Sequence, residues 1–249
     1  MMRFVPTPPS TQHPYAAGVV LASGAGTRVG ANLNKVYLPL AGRRLVSWSI
    51  ESFARVPAIG AIVLVVRPQD RELVDWVLDR EVNGATVEVV HGGRTRQESE
   101  LRALRHLAER IDRNVIDTVL IHDAARPLLS PALINGVLHS AREHGGAIPG
   151  LPAEDIHTVG DDEDSIGGRP EGTVVRAQTP QGFRARPLLD AYEQAAREGF
   201  DGTDTASVME RFSSLPVHWV RGEEQNFKVT YPHDLVVAEQ VLASTDYRT

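Results

Sequence analysis

The chain has 249 residues, of which 42% are hydrophobic, and this is enough to build the core of one large α/β domain. Its formal net charge of −6 argues against a general nucleic-acid binder, because such proteins need a basic face to neutralise phosphates. The sequence contains no cysteine, which excludes disulfides, zinc–thiolate sites and thiol nucleophiles.

The first segment, residues 1–15, is rich in proline, serine and threonine and lacks the apolar stretch of a signal peptide. We expect a disordered tail there, followed by a single domain over residues 16–249. No run approaches the roughly 20 apolar residues that a membrane span needs. We therefore expect a cytoplasmic protein without a membrane partner.

Short apolar runs and amphipathic segments alternate after this tail. Strands are predicted at Ala16–Ser23 and within residues 58–68, 85–93, 117–127 and 145–153. Helices are predicted within residues 43–56, 71–82, 96–111 and 130–145, the last with Ser130 as N-cap and Pro131 at its first position. The alternation predicts an α/β fold that is Rossmann-like, with a mostly parallel, doubly wound sheet between two layers of helices.

One stretch, residues 152–178, breaks the alternation. Two strand-like pieces, Asp155–Val159 and Thr173–Gln178, flank a polar, glycine-rich turn, and together they predict a projecting β-hairpin arm. An isolated two-stranded hairpin is marginally stable in water, so we expect this arm to pack on a second subunit. The acidic run Asp161–Asp164 is interpreted as the solvated tip of the hairpin rather than as a metal site.

The candidate site consists of the residues that follow the predicted strands, because ligands of doubly wound sheets bind beyond the carboxyl ends of the strands. The glycine-rich loop over residues 23–30 partly fits a dinucleotide-binding fingerprint, and a plain surface loop is the other simple interpretation. Arg28 lies inside this loop and Lys35 follows it, while the second strand ends at Arg67 without an acid for a ribose hydroxyl. These features favour a more highly charged ligand, such as a nucleoside triphosphate.

From Ala17 to Leu242 the chain resembles the 2-C-methyl-D-erythritol 4-phosphate cytidylyltransferase family. The resemblance is carried, in order, by SGAGTRVG, Lys35 with YLPLAG, GGRTRQES, HDAARP, RAQTPQGF, TDTAS and NFKVTYPHDL. The glycine loop is shared with other sugar nucleotidyltransferases, whereas the later segments are specific in combination. The resemblance implies transfer of CMP from CTP to 2-C-methyl-D-erythritol 4-phosphate, release of pyrophosphate, Mg²⁺ as cofactor, and a homodimer joined by the arm.

The resemblance also implies roles for individual residues. Arg28 and Lys35 match the family's transition-state stabilisers, and Lys228 matches the lysine that orients the attacking phosphate. Nucleotide-contacting positions are Ala22, Ser23, Gly24, Gly26, Gly93, Ser99 and Ala124. Substrate-side positions are Asp123, Arg126, Thr179, Thr203 and Arg169. Mg²⁺ is expected mainly on the triphosphate, with Asp123 as the carboxylate that contacts it directly or through water.

Two positions in the arm depart from the family pattern. Ile156 stands where the family has a threonine, and Glu171 stands where it has a phosphate-orienting arginine, for which Arg169 or Arg176 is the candidate replacement. A cytidylyltransferase for another polyol phosphate, such as ribitol 5-phosphate, therefore remains an alternative. A non-catalytic CTP sensor and an NAD-dependent dehydrogenase are the alternatives from other classes.

Overall fold

The computed structural model describes residues 14–24, 34–82, 84–161 and 164–244. The strands are β1 Tyr15–Leu21, β2 Pro39–Leu40, β3 Arg43–Arg44, β4 Ile59–Val66, β5 Val87–His91, β6 Ile116–Asp123, β7 Gly146–Pro152, β8 Val175–Ala177, β9 Gln181–Arg184 and β10 Val217–Arg221. The α-helices are α1 Leu45–Ala54, α2 Arg71–Arg80, α3 Arg96–Asp112, α4 Pro131–His144, α5 Ala185–Glu198, α6 Thr205–Phe212 and α7 Pro232–Ser244. Short 3₁₀ turns cover Lys35–Tyr37 and Pro68–Asp70. Most of the predicted tail lies outside the described residues.

Eight strands form one mixed sheet in the order β10-β7-β9-β6-β1-β4-β5, with β8 paired to β7. The central strands β5, β4, β1 and β6 are mutually parallel, and β10 is parallel to β7. Strand β9 lies antiparallel between β6 and β7. The prediction of a mostly parallel, Rossmann-like α/β sheet is therefore confirmed.

Both faces of the central sheet are buried, which explains the continuous apolar runs in β1 and β4. Successive side chains of a strand point to opposite faces, so Val19 and Val63 pack in one core while their neighbours Val20 and Leu64 pack in the other. Helices α1, α2 and α4 cover one face, and α3, α5 and α6 cover the other. The sheet is doubly wound, as predicted.

Side-chain caps fix where two of these helices begin. The Ser130 hydroxyl accepts a hydrogen bond of 3.0 Å from the backbone N–H of Leu133 at the start of α4, as its position before Pro131 predicts. Thr95 caps α3 in the same way, by accepting 3.1 Å from the N–H of Glu98. The cap at Thr95 places the first turn of α3 beside the end of β5. Within the described residues, no helix is both long and apolar enough to cross a membrane.

The arm leaves the sheet after β7 and returns to it at β8. Its base is closed by a bond of 2.9 Å from Ala153 N–H to the Val174 carbonyl, and a lone bridge pairs Val159 with Ile166 near its tip. The predicted strand Asp155–Val159 was wrong in extent, since no strand forms there and, among the described residues beyond the base of the arm, backbone pairing is limited to Thr158–Gly160, and the second piece is shortened to β8. Strand β8 pairs with β7 instead, at Gly150–Pro152, because the pairing of β9 with β7 at Gly146 and Ala147 does not extend to this end of β7.

Candidate active site

A cavity of about 440 Å³ lies beyond the carboxyl ends of β1, β5 and β6. Among the described residues, five parts of the chain bound it: the exit of β1, the turn at Lys35, the β5–α3 loop with the start of α3, the end of β6, and Lys228. The described residues that line it include Ser23, Gly24, Asn34, Lys35, Gly93, Arg94, Arg96, Ser99, Asp123, Ala125 and Lys228. The parallel topology thus brings together the strand ends at which the sequence predicts a ligand.

One wall of the cavity is built around the Ser99 hydroxyl. It accepts hydrogen bonds of 3.0 Å from the Ser23 hydroxyl and from the backbone N–H of Gly93, and it donates 2.9 Å to the Thr95 carbonyl. Glycine is required at position 92, because a Cβ there would lie 2.6 Å from the Cβ of Ser23. The close approach of the β5 exit to the β1 exit gives this wall a flat, backbone-rich surface.

Asp123 lines the cavity at the end of β6, with one cation on each carboxylate oxygen. Arg96 donates to Oδ1, and Lys228 Nζ donates to Oδ2 over 2.7 Å. Burial alone would raise the pKa of Asp123, but Arg96 and Lys228 outweigh it and hold that pKa well below its ordinary value. The carboxylate is therefore ionised, and its orientation determines where the ammonium of Lys228 lies.

A second, fully buried carboxylate stands behind Arg96. Glu100 lies 3.1 Å from Arg96 Nε through Oε1, and it accepts hydrogen bonds from the hydroxyls of Thr205 and Tyr192. Burial raises the pKa of Glu100, while Arg96 and the two hydroxyl donors act in the opposite direction. Arg96 thus lies between two carboxylates, which hold its long, flexible side chain in one orientation at the cavity wall.

The backbone at Asp123 is held by a buried hydrogen-bond chain through Thr179. The N–H of Asp123 donates to Thr179 Oγ1 over 3.1 Å. The Thr179 hydroxyl donates to His122 Nδ1 over 3.0 Å, because the carbonyl at Nε2 can only accept and so places the proton of the neutral ring on Nε2. His122 Nε2 then carries the proton and donates to the Arg126 carbonyl over 3.1 Å. The imidazole is neutral, because complete burial lowers its pKa to about 4.

This buried histidine predicts a loss of stability in mild acid. An unfolded histidine takes up a proton near pH 6.5, whereas folded His122 stays neutral down to about pH 4. The unfolded state binds more protons in that window, so the free energy of unfolding falls as the pH drops through it, by roughly 3 kcal/mol at most. Urea titrations at several pH values measure this loss, and the stability that Asp123 contributes is lost mainly below about pH 5, because its pKa is lowered in the folded state.

The variant His122→Gln isolates the histidine, because glutamine keeps a donor for the Arg126 carbonyl but does not titrate. The difference in unfolding free energy between wild type and variant should shrink between pH 6.5 and pH 4, since other groups titrate equally in both. Parallel curves for the two proteins would show that His122 is not the titrating group.

Lysine is rare in this chain, and both of its lysines lie at the candidate site. Lys35 and Lys228 are the only lysines in 249 residues, against 24 arginines among the 26 basic side chains. Both line the same cavity, where Lys35 Nζ donates to the Val229 carbonyl over 2.8 Å. A chain that uses arginine elsewhere thus keeps a compact, mobile ammonium at these two positions, and arginine is not an equivalent substitute for it. This count is a sequence signal that motif reasoning overlooked.

The predicted site residues divide into three groups in the structure. Those that line the cavity are Ser23, Gly24, Lys35, Gly93, Ser99, Asp123 and Lys228. Others are not among its described lining residues but support it or lie apart: Ala22, Ala124, Arg126, Thr179, Thr203 and Arg169. Gly26 and Arg28 fall outside the described residues.

The residues of the second group have identifiable contacts. The N–H of Ala22 donates to the Val65 carbonyl and that of Ala124 to the Leu21 carbonyl, so these groups hold the sheet and are not available to a ligand. Arg126 donates to the Asn226 carbonyl over 2.8 Å rather than pairing directly with Asp123. Thr203 and Arg169 are exposed. Arg96 and Asn34 are two polar lining residues that were not predicted individually, although both lie within predicted site segments.

The sequence matches a known family over almost its whole length. The profile of IspD, 2-C-methyl-D-erythritol 4-phosphate cytidylyltransferase, aligns with residues 16–244. A relative of that name from Synechococcus sp. (strain JA-3-3Ab) is 36% identical over 228 residues, which are 90% of this chain and 95% of the relative. A bifunctional IspD/IspF enzyme from Dinoroseobacter shibae is also 36% identical, and the match covers 94% of this chain but 55% of that enzyme.

Solved structures agree with the sequence match. The 4-diphosphocytidyl-2C-methyl-D-erythritol synthase of Anaerococcus prevotii superposes with a TM-score of 0.80 at 25% identity, covering 92% of this chain and 99% of that one. The 2-C-methyl-D-erythritol 4-phosphate cytidylyltransferase of Thermus thermophilus gives a TM-score of 0.69 at 28% identity, covering 90% and 98%.

Proposed function

This chain belongs to the 2-C-methyl-D-erythritol 4-phosphate cytidylyltransferase family, and from that premise we propose that its cavity transfers CMP from CTP to 2-C-methyl-D-erythritol 4-phosphate. The observation that carries the proposal is that Lys35, Lys228 and Arg96 line one cavity at the strand ends together with Asp123, whose carboxylate pairs with Lys228 and Arg96. Fixed and mobile cations in one cavity suit two anionic substrates, a triphosphate and a phosphate monoester.

The reaction needs no covalent intermediate on the enzyme. An oxygen of the acceptor phosphate attacks the α-phosphorus of CTP in line, the bond to the β-phosphate oxygen breaks, and pyrophosphate leaves. A phosphate close to its dianionic form is already nucleophilic near neutral pH, so no general base is assigned. The protein contributes position and charge stabilisation.

Roles within the cavity follow from what each side chain offers. Lys35 supplies a mobile point charge for the negative charge that develops on the α-phosphate. Lys228, directed by Asp123, holds the acceptor phosphate, and the backbone-rich wall of Ser23, Gly93 and Ser99 receives the nucleotide. Arg28 is proposed as the second stabiliser of the α-phosphate on the family resemblance alone.

Mg²⁺ is proposed as a cofactor carried mainly by the triphosphate. Among the described residues there is no group of three or more His, Asp or Glu side chains arranged to hold a metal, and Asp123 is the acidic side chain among the lining residues. This donor set fits an ion that keeps most of its ligands from water and phosphate. When bound, Mg²⁺ would neutralise triphosphate charge, and Asp123 would contact it directly or through water. Because CTP is a cytoplasmic nucleotide, we place the reaction in the cytoplasm.

The acceptor is the part of the proposal that needs the most direct test. Pyrophosphate release is measured with CTP and, in turn, 2-C-methyl-D-erythritol 4-phosphate, ribitol 5-phosphate and other polyol phosphates. The expected result is the highest kcat/KM with the methylerythritol phosphate. Preference for ribitol 5-phosphate would favour the alternative suggested by Ile156 and Glu171, and no release with any acceptor would favour a CTP sensor.

We also propose a homodimer held by the arm, residues 152–178. Two large apolar side chains near the tip are strongly exposed in the single chain, Val159 at 61% and Ile166 at 73%. Exposed apolar side chains on a narrow hairpin are costly unless another surface covers them. A second copy of the chain is the proposed cover, and it also brings Arg169 and Arg176 of the arm toward a neighbouring protomer.

Removal of the arm is expected to yield monomers. In this variant, residues 155–173 are replaced by a short glycine linker, which the contact between Ala153 and Val174 allows. Light scattering coupled to size-exclusion chromatography measures the mass. Serine substitutions at Val236 and Val237, which are 56% and 44% exposed on α7, should leave the dimer intact. A deletion variant that remains dimeric would locate the interface elsewhere.

A further inference from the structure

Asn34, immediately before Lys35, is a polar side chain that is almost completely buried, with 1% of its surface exposed. Its Nδ2 donates 2.7 Å to the carbonyl of Ala22 at the exit of β1 and 3.3 Å to Asp70 Oδ2. Its Oδ1 accepts from the N–H of Val36 over 3.4 Å, which caps the 3₁₀ turn at Lys35–Tyr37. One side chain thus ties this turn to the end of the central strand.

Asp70 is itself fixed from the other side. Arg67 donates to both of its oxygens over 2.7 Å, and only 4% of the Asp70 surface is exposed. A bidentate arginine pair sets the direction of a carboxylate as well as neutralising it. The exit of β4, which carries Arg67, therefore provides a rigid acceptor against which the amide of Asn34 is held.

The amide of Asn34 is buried, so the loss of its hydrogen bonds would be unfavourable. A buried amide without partners is not compensated for its removal from water, and the side chain therefore has one favourable orientation. That orientation fixes the backbone at residue 35, and the ammonium of Lys35 then reaches the Val229 carbonyl, one residue from Lys228. The line of contacts from Arg67 through Asp70 and Asn34 ends at a lysine that lines the cavity.

We propose that Asn34 is a positioning residue for Lys35, holding its ammonium where charge develops in the reaction. The inference rests on the role given to Lys35 in the proposed function. Asn34 contributes no charge, so its effect is exerted on kcat through Lys35 and not on the attraction of CTP to the site.

A double-mutant cycle tests this role. The four proteins are wild type, Asn34→Ala, Lys35→Ala and the double variant, each assayed for kcat and for KM of CTP. Asn34→Ala should lower kcat on the order of tenfold to a hundredfold when Lys35 is present, with a change in KM below about threefold. In the Lys35→Ala background the same substitution should lower kcat by less than about twofold, because residues that act as a unit are not additive.

Lysine-selective ¹³C labelling gives a second readout that does not depend on activity. The chain contains two lysines, so the spectrum has two ε-methylene signals, and Lys35→Ala assigns them. Asn34→Ala should shift the Lys35 signal and leave that of Lys228 in place. If Asn34→Ala does not fold, Asn34→Ser carries the same tests, because its hydroxyl still accepts from Val36 but no longer reaches both Ala22 and Asp70.

Tyr37→Phe is the matched control. Tyr37 is buried in the same turn, and its hydroxyl has no hydrogen-bond partner among the described residues, so kcat and the Lys35 signal should stay near wild type. If Asn34→Ala lowers kcat equally in both backgrounds, or does not shift the Lys35 signal, the inference about Asn34 is wrong while the role of Lys35 stands. A near-normal kcat for Lys35→Ala would overturn the role of Lys35 itself, and the inference with it.

Discussion

Replacement of Lys35 by alanine is expected to lower kcat for CMP transfer by roughly two orders of magnitude or more, the scale for losing one preorganised charge in a transition state. In the proposed role, the ammonium stabilises charge that develops on the α-phosphate only as pyrophosphate departs. KM for CTP should change much less, because several other groups line the nucleotide wall. Steady-state pyrophosphate release measures both constants.

Two further variants make the result specific. Lys35→Arg keeps the charge but exchanges a mobile ammonium for a planar fork, and it should recover only part of the activity. Arg113→Ala removes an exposed cation paired with Glu109 on the surface and should leave kcat unchanged. Lys35→Ala with near-normal kcat would show that Lys35 is an ordinary surface cation.

Asp123→Asn is expected to be nearly as damaging, for a different reason. The substitution removes the anion shared by Arg96 and Lys228 and leaves two neighbouring cations without it. Lys228 then loses the carboxylate that orients its ammonium, and kcat should fall on the order of a hundredfold. Because the substitution removes a negative charge from the cavity, KM for CTP should stay the same or fall. The free energy of unfolding should drop by roughly 3 kcal/mol, because a buried ion pair is broken.

Asp117→Asn is the matched control, since it lies on the same strand at the opposite end from the cavity. Asp117 is partly exposed and pairs with Arg142 over 3.0 Å. This variant should lose some stability but retain wild-type kcat. If Asp123→Asn behaves like Asp117→Asn, the carboxylate at the strand end serves the fold and not the reaction.

Sequence patterns were sufficient to predict where the cavity lies, because a parallel sheet places the carboxyl ends of its strands at the same edge. Ser23, Gly93 and Asp123 each lie at or near the end of a predicted strand, and the parallel sheet brings all three to one edge. The role of Lys228 came only from the family resemblance, since no local pattern reveals that a residue 105 positions after Asp123 pairs with it. The antiparallel insertion of β9 was likewise not predicted, because alternation within one strand does not specify its neighbours.

The supporting contacts were the hardest to anticipate. Helical periodicity correctly predicts that one face of α3 is buried. It does not indicate that Glu100 on that face is a carboxylate partner for Arg96. Thr179 matched a substrate-side position, yet its hydroxyl faces inward and bridges Asp123 and His122. Such roles depend on tertiary contacts between residues far apart in sequence.

Direct attack of the acceptor phosphate on the α-phosphorus of CTP is the step on which every role assigned in the cavity depends. It is measured by ³¹P NMR of the products formed from CTP and 2-C-methyl-D-erythritol 4-phosphate whose phosphate oxygens carry ¹⁸O. Direct attack predicts a cytidine diphospho product in which one ¹⁸O occupies the bridge between the two phosphorus atoms, together with unlabelled pyrophosphate. Label in the pyrophosphate, or release of CMP without a new phosphorus–oxygen–phosphorus bond, would contradict it.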